Sequence, residues 1–121
     1  MSFWEGLPRP FFVLAPMADV TDAAFRRLIA QHGKPHAMWT EFVSADGLLS
    51  AGYDTLVKDL QYDESERPIV AQLFTSKPDV MERAATMVQD MGFDGFDINM
   101  GCPDRAVEKQ GAGCALLKDY K

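Results

Sequence analysis

Gly95-Phe96-Asp97-Ile98-Asn99-Met100-Gly101-Cys102-Pro103 is the stretch on which the reading of this chain turns. Its first four residues form an apolar run that reads as a buried strand. A polar Asn, a Gly, a Cys and a Pro follow within five residues. In a barrel or doubly wound sheet of parallel strands, chemistry collects just past the C-terminal strand ends. Gly101 permits a tight exit and Pro103 stops the strand. Cys102 is therefore expected on a stiff corner at the mouth of the fold. It reads equally as a small buried hydrophobe, the commoner fate of a free cysteine.

Working outward, three further apolar runs resemble this one. Phe11-Phe12-Val13-Leu14-Ala15 is continuous rather than alternating, which suits a strand buried on both faces in a parallel sheet. Met38-Trp39-Thr40-Glu41-Phe42-Val43 reads as a second strand, in which Glu41 either points into a site or is solvated or paired. Ile69-Val70-Ala71-Gln72-Leu73-Phe74 is a third. If Gln72 is buried there it must be hydrogen-bonded, to a neighbouring strand's backbone or as a polar ligand group at the barrel mouth.

Helices are expected between these runs. Thr21 and Asp22 supply a cap and a first-turn acid, Phe25, Leu28 and Ile29 an apolar face, and Gly33 with Pro35 a stop. Ser44 to Leu49 begins a short helix that Gly52 ends. Ser76-Lys77-Pro78-Asp79 starts another, with Val80, Ala84, Met87, Val88 and Met91 at helical spacing as core and Gly92 as terminator. The acidic stretch from residue 53 to 68 reads as a solvated connection without function. Gln110 to Lys118 reads as a Gly-bearing loop entering a helix.

The strand starts at residues 12, 38, 69 and 95 are 26, 31 and 26 residues apart, the size of repeated strand–helix units. The expectation is an α/β fold. Periodicity does not choose between an open sheet and a closed barrel. Four units make about half of a (β/α)8 TIM barrel, which needs about 200 residues or more. An open four-strand sheet exposes two unpaired edges. Residues 1–121 are therefore read as the N-terminal part of a larger protein.

Composition narrows the function classes. At 47% hydrophobic and 25% charged, the 121 residues are neither disordered nor fibrous. A net charge of −6 offers no basic footprint for nucleic acid. No run approaches the ~18 apolar residues of a membrane span, and the start lacks a basic signal-peptide region, so a cytoplasmic location is expected. Cys102 and Cys114 make no disulfide framework. With His32 and His36 far off in sequence, no metal site is expected either.

Five stretches together resemble the tRNA-dihydrouridine synthases. They are Ala15-Pro16-Met17-Ala18-Asp19-Val20-Thr21-Asp22 with Phe25-Arg26, Thr40-Glu41-Phe42-Val43-Ser44-Ala45, Gln72-Leu73-Phe74, Asp97-Ile98-Asn99-Met100-Gly101-Cys102-Pro103, and Gly111-Ala112-Gly113-Cys114-Ala115-Leu116-Leu117. They fall in the family's order and cover nearly the whole chain. The resemblance implies a (β/α)8 barrel holding FMN at its C-terminal mouth, a following helical domain that helps bind tRNA, and NADPH-driven reduction of the C5–C6 bond of specific uridines. By matching positions, Pro16, Met17 and Ala18 line the flavin, Gln72 bonds the isoalloxazine edge, Asn99 orients flavin or base, and Cys102 is the general acid that protonates C5. A thiol of reference pKa near ~8.5 suits that role, and a deep mouth suits a uridine drawn from its stack. The family's downstream Lys, His-containing segment and phosphate-binding loops have no counterpart within residues 1–121. The resemblance thus implies that this piece alone binds FMN poorly and is inactive. A monomer is expected, and Cys114 is read as structural. The rival readings are another FMN barrel oxidoreductase, such as a dihydroorotate dehydrogenase-like enzyme, and a non-catalytic RNA-binding remnant.

Overall fold

A computed structural model describes residues 2–118. Four strands, β1 (Val13–Leu14), β2 (Ala37–Ser44), β3 (Ile69–Phe74) and β4 (Gly95–Ile98), form one sheet in the order β1-β2-β3-β4, every pair parallel. A doubly wound sheet reverses direction after its first strands, whereas a barrel adds each new strand beside the last. The sequential order is consistent with barrel winding. Among the described residues the sheet is open, with β1 and β4 at its edges.

Helices α1 (Ala23–Gly33) and α4 (Pro78–Asp90) are the long crossovers. Asp22, not Thr21, caps α1 by accepting from Phe25 N at 2.8 Å. Helix α4 begins at Lys77 with no side-chain cap. Just before it, the Lys77 N–H donates to Thr75 Oγ1 at 3.2 Å. Gly92, at φ +85°, ends α4 in the left-handed conformation that favours glycine. Short helices α2 (Ala45–Leu48), α3 (Tyr53–Leu56) and α5 (Arg105–Glu108) fill connections. The last helix expected from sequence is a 3₁₀ turn, Gly113–Lys118, and any continuation past 118 lies outside the described residues.

Side chains alternate across the sheet, and the two faces differ. Ile69, Ala71 and Leu73 face the helices and pack with Met81, Ala84 and Val88 of α4, Leu48 and Leu60. The other face carries Val70, Gln72 and Phe74, with Trp39 and Phe42 of β2 in register beside Val70 and Gln72. The turn Phe3–Gly6 covers the N-terminal end of that second face, where the Trp4 ring packs tilted against Trp39 with centroids 5.8 Å apart. Gly95 lets this turn approach closely: a Cβ there would lie 3.3 Å from Phe3 Cε1, a tight contact. The C-terminal end of the same face is left for the site.

Three expectations need correction. Neither β1 nor β4 is buried on both faces: Val13 is 41% exposed and Phe96 47%. Each is an edge strand with a neighbour on one flank only, so its apolar run is not enclosed. Leu28, expected on the inner face of α1, is exposed, and Arg26 takes the buried position. The stretch from 53 to 68 is not a solvated connection. It holds α3 and two 3₁₀ turns, Val57–Leu60 and Glu64–Glu66, and it buries Leu60 and Glu66. Glu66 Oε2 accepts from Arg26 Nε at 2.8 Å, both side chains fully buried. Arg26 also donates to the Thr21 carbonyl at 2.8 Å and the Gln61 carbonyl at 2.5 Å.

Candidate functional site

The site begins with a fault in the β2–β3 ladder. The register slips between Trp39 and Phe42, and at the slip the Gln72 N–H donates to the Thr40 hydroxyl at 3.1 Å. Gln72 is 8% exposed, and its carboxamide is satisfied by side chains of β4 and its exit. Nε2 donates to Asp97 Oδ2 at 2.6 Å, and Oε1 accepts from Asn99 Nδ2 at 3.3 Å. Burial of this polar side chain is thus paid by neighbouring side chains, not by the strand backbone.

Asn99 links Gln72 to the thiol-bearing corner. Its N–H donates to the Leu73 carbonyl at 2.9 Å, extending the ladder one residue beyond β4. Its Oδ1 accepts from Gly101 N at 3.2 Å and from Cys102 N at 2.9 Å, which bends the loop back on itself. The Cys102 carbonyl accepts from Cys114 N at 3.0 Å. Gly113, at φ +59°, makes this approach possible, since a Cβ there would sit 2.6 Å from that carbonyl. Cys102 is half-buried at the edge of a small cluster of Phe74, Val107, Ala112 and Phe42, in which Phe42 and Phe74 meet edge to face at 5.3 Å. It is neither sunk in the main core nor fully open.

Pro16, Met17 and Ala18 follow the C-terminal end of β1. Thr21 closes their loop: its hydroxyl accepts from Met17 N at 2.9 Å and donates to Met17 O at 3.2 Å. Met17 and Ala18 are exposed and Pro16 half-buried. Asp19 takes a positive φ of 60°, and its N–H donates to the Glu41 carboxylate. Glu41 is thereby paired with the loop backbone. Its partial burial raises its carboxyl pKa, the Asp19 hydrogen bond opposes the rise, and the charges of Asp59, Asp19 and Asp22 add to it. In α2, just past β2, Asp46 accepts from Lys77 Nζ and from Thr75 Oγ1, both beyond the end of β3, each at 2.6 Å. Those two bonds, the Lys77 one first, hold its pKa below the usual carboxylate value.

The geometry joins Gln72, Asn99 and Cys102 in one hydrogen-bonded chain. Among the described residues no hydrogen bond links residues 16–18 to that chain; they form the opposite side of the strand ends. Asp97 in the site and the Arg26–Glu66 pair elsewhere in the fold have no role predicted from sequence. Asp97 was quoted within its motif, but its partner lies 25 positions away. The Arg26–Glu66 pair spans 40 positions.

A family model described as Dihydrouridine synthase (Dus) matches residues 13–121. The "Probable tRNA-dihydrouridine synthase 2" of Bacillus subtilis (strain 168) is 42% identical over 117 residues, 96% of this chain and 36% of that protein. The "Probable tRNA-dihydrouridine synthase" of Staphylococcus aureus (strain COL) is 39% identical over the same shares. This chain therefore spans 36% of the length of the curated relatives it matches. The match runs from the first strand through the Cys102 corner to the end of the chain, and on it the chain belongs to the dihydrouridine synthase family.

Proposed function

We propose that this chain is the N-terminal part of an FMN-binding (β/α)8 barrel that reduces the C5–C6 bond of uridines in tRNA, with NADPH as reductant. On this reading the helical tRNA-binding domain and the flavin phosphate site belong to the family's later segments, and the enzyme works in the cytoplasm. The observation that carries the proposal is the chain Gln72–Asn99–Cys102 at the C-terminal ends of adjacent parallel strands.

The residues fit the ring of the flavin. Gln72 keeps one amide hydrogen and one carbonyl lone pair beyond its bonds to Asp97 and Asn99, the donor and acceptor that an imide edge requires. Pro16, Met17 and Ala18 would line the ring with apolar surface and backbone groups. The chemistry a bound FMN would supply is hydride for C6 of the uridine, with NADPH as its reductant. Cys102 gives its thiol proton to C5 as the new C5–H bond forms, and the thiolate is reprotonated from solvent. Asn99 holds the Cys102 amide and orients the base. The target uridine leaves its stack to reach the mouth.

In the intact enzyme, Cys102→Ala is expected to keep the yellow flavin and lose uridine reduction by about 10²- to 10⁴-fold, the scale of one general acid. Full turnover by that variant removes Cys102 from the role.

A further inference from the structure

Asp97 faces Gln72 across the β3–β4 register and takes no part in the chemistry proposed above. Its carboxylate oxygens only accept hydrogen bonds. A carboxamide has a donor end and an acceptor end, so the 2.6 Å contact dictates which end of Gln72 meets Asp97: the NH₂ group. Gln72 Oε1 then faces Asn99, and only the NH₂ of Asn99 can satisfy it. Asn99 Oδ1 is left turned toward the loop, where it accepts from the N–H groups of Gly101 and Cys102. Reversing either amide would set donor against donor or acceptor against acceptor. The direction of the whole chain therefore originates at one acceptor-only group.

We propose that Asp97 is a positioning residue, fixing through the Gln72–Asn99 carboxamides both the amide face offered to the bound ring and the placement of the Cys102 backbone. The ring and the role of Cys102 rest on the function proposed above; the amide chain does not. Asn at position 97 has the same shape but presents either end to Gln72, so it no longer enforces one direction.

The test uses Asp97→Asn in the intact enzyme, with two readouts. In flavin-free, ¹⁵N-labelled protein, the Asn99 side-chain amide and the Cys102 backbone amide are expected to shift or split relative to wild type. In the FMN-loaded enzyme, uridine reduction should fall about 10- to 100-fold, the loss of one charge-assisted hydrogen bond. Flavin reduction by NADPH without tRNA, which depends on the Gln72 face but not on the Cys102 proton, should fall less than uridine reduction. In a Gln72→Leu background, Asp97→Asn should add nothing further. Unchanged Asn99 and Cys102 resonances overturn the proposal, as does an equal effect of Asp97→Asn with and without Gln72. If Asp97→Asn does not fold, Gln72→Leu alone interrupts the chain at its middle: displaced Cys102 and Asn99 resonances support it, and fixed ones overturn it. A wild-type enzyme without flavin or uridine reduction refutes the functional reading, while the amide resonances still judge the chain.

Discussion

Replacing Arg26 with Met keeps much of the buried stem and deletes the guanidinium, and the structure sets the size of the loss. Three acceptors lose their donor: the Glu66 carboxylate, the Thr21 carbonyl and the Gln61 carbonyl. Glu66 is fully buried and keeps only the Asp63 N–H, at 3.1 Å. Breaking a buried pair by removing one partner costs about 3–5 kcal/mol, because a charge is left uncompensated. Unsatisfied buried acceptors cost about 1–3 kcal/mol each, which brackets the same figure. Against a typical domain stability of about 5–15 kcal/mol, such a loss is severe. With a urea slope near ~2 kcal/mol per molar, the unfolding midpoint by far-UV circular dichroism should drop about 1.5–2.5 M. The double variant Arg26→Met/Glu66→Leu should regain about half of that, since the stranded charge is gone while the two carbonyls remain unpaired. A loss below about 1 kcal/mol, the worth of an exposed pair, refutes the reasoning, and so do additive effects of the single substitutions.

Three smaller predictions follow from the same geometry. Asp46→Asn should cost up to about 1 kcal/mol at neutral pH, as befits a partly exposed pair. Because the folded pKa is lowered, that difference is present above pH 3.8 and shrinks as pH falls toward the folded value; a gap that persists below it counts against the Lys77 and Thr75 bonds. Glu41 runs the other way: its raised pKa means wild-type stability falls as pH climbs above 4.5, and Glu41→Gln, which can still accept from Asp19 N, should flatten that slope in melting curves. Parallel curves for the two proteins reject this. Gly113→Ala forces a side chain into positive φ and against the Cys102 carbonyl, so at least about 2 kcal/mol should be lost; a change within about 0.5 kcal/mol contradicts the packing.

Strand β3 and the two long crossover helices were legible because their signals are local. Six consecutive residues define β3, and Asp22, Gly33 and Gly92 mark helix ends within one turn. Burial at β1 and β4 was not legible: an apolar run tells what a strand can bury, not whether another layer covers it. The acidic stretch around Glu66 misled for a related reason. Its composition is that of a solvated loop, and the cation that makes burial tolerable sits on a different element. At the site, Cys102, Asn99 and Gln72 stood out as residue types unusual for their setting. Asp97 did not, because its meaning comes from strand register.

The corner at Cys102 is tethered on both sides, by Asn99 at its N–H and by Cys114 at its C=O. With the main chain immobilised, the sulfur retains one rotation, χ1, and three staggered stations to occupy. Its reach is a short menu rather than a sweep. On the proposed function, selectivity would then rest on how a uridine is presented to a stationary post. Substitutions in the Gly113–Lys118 turn would shift that post through the Cys114 N–H that holds it.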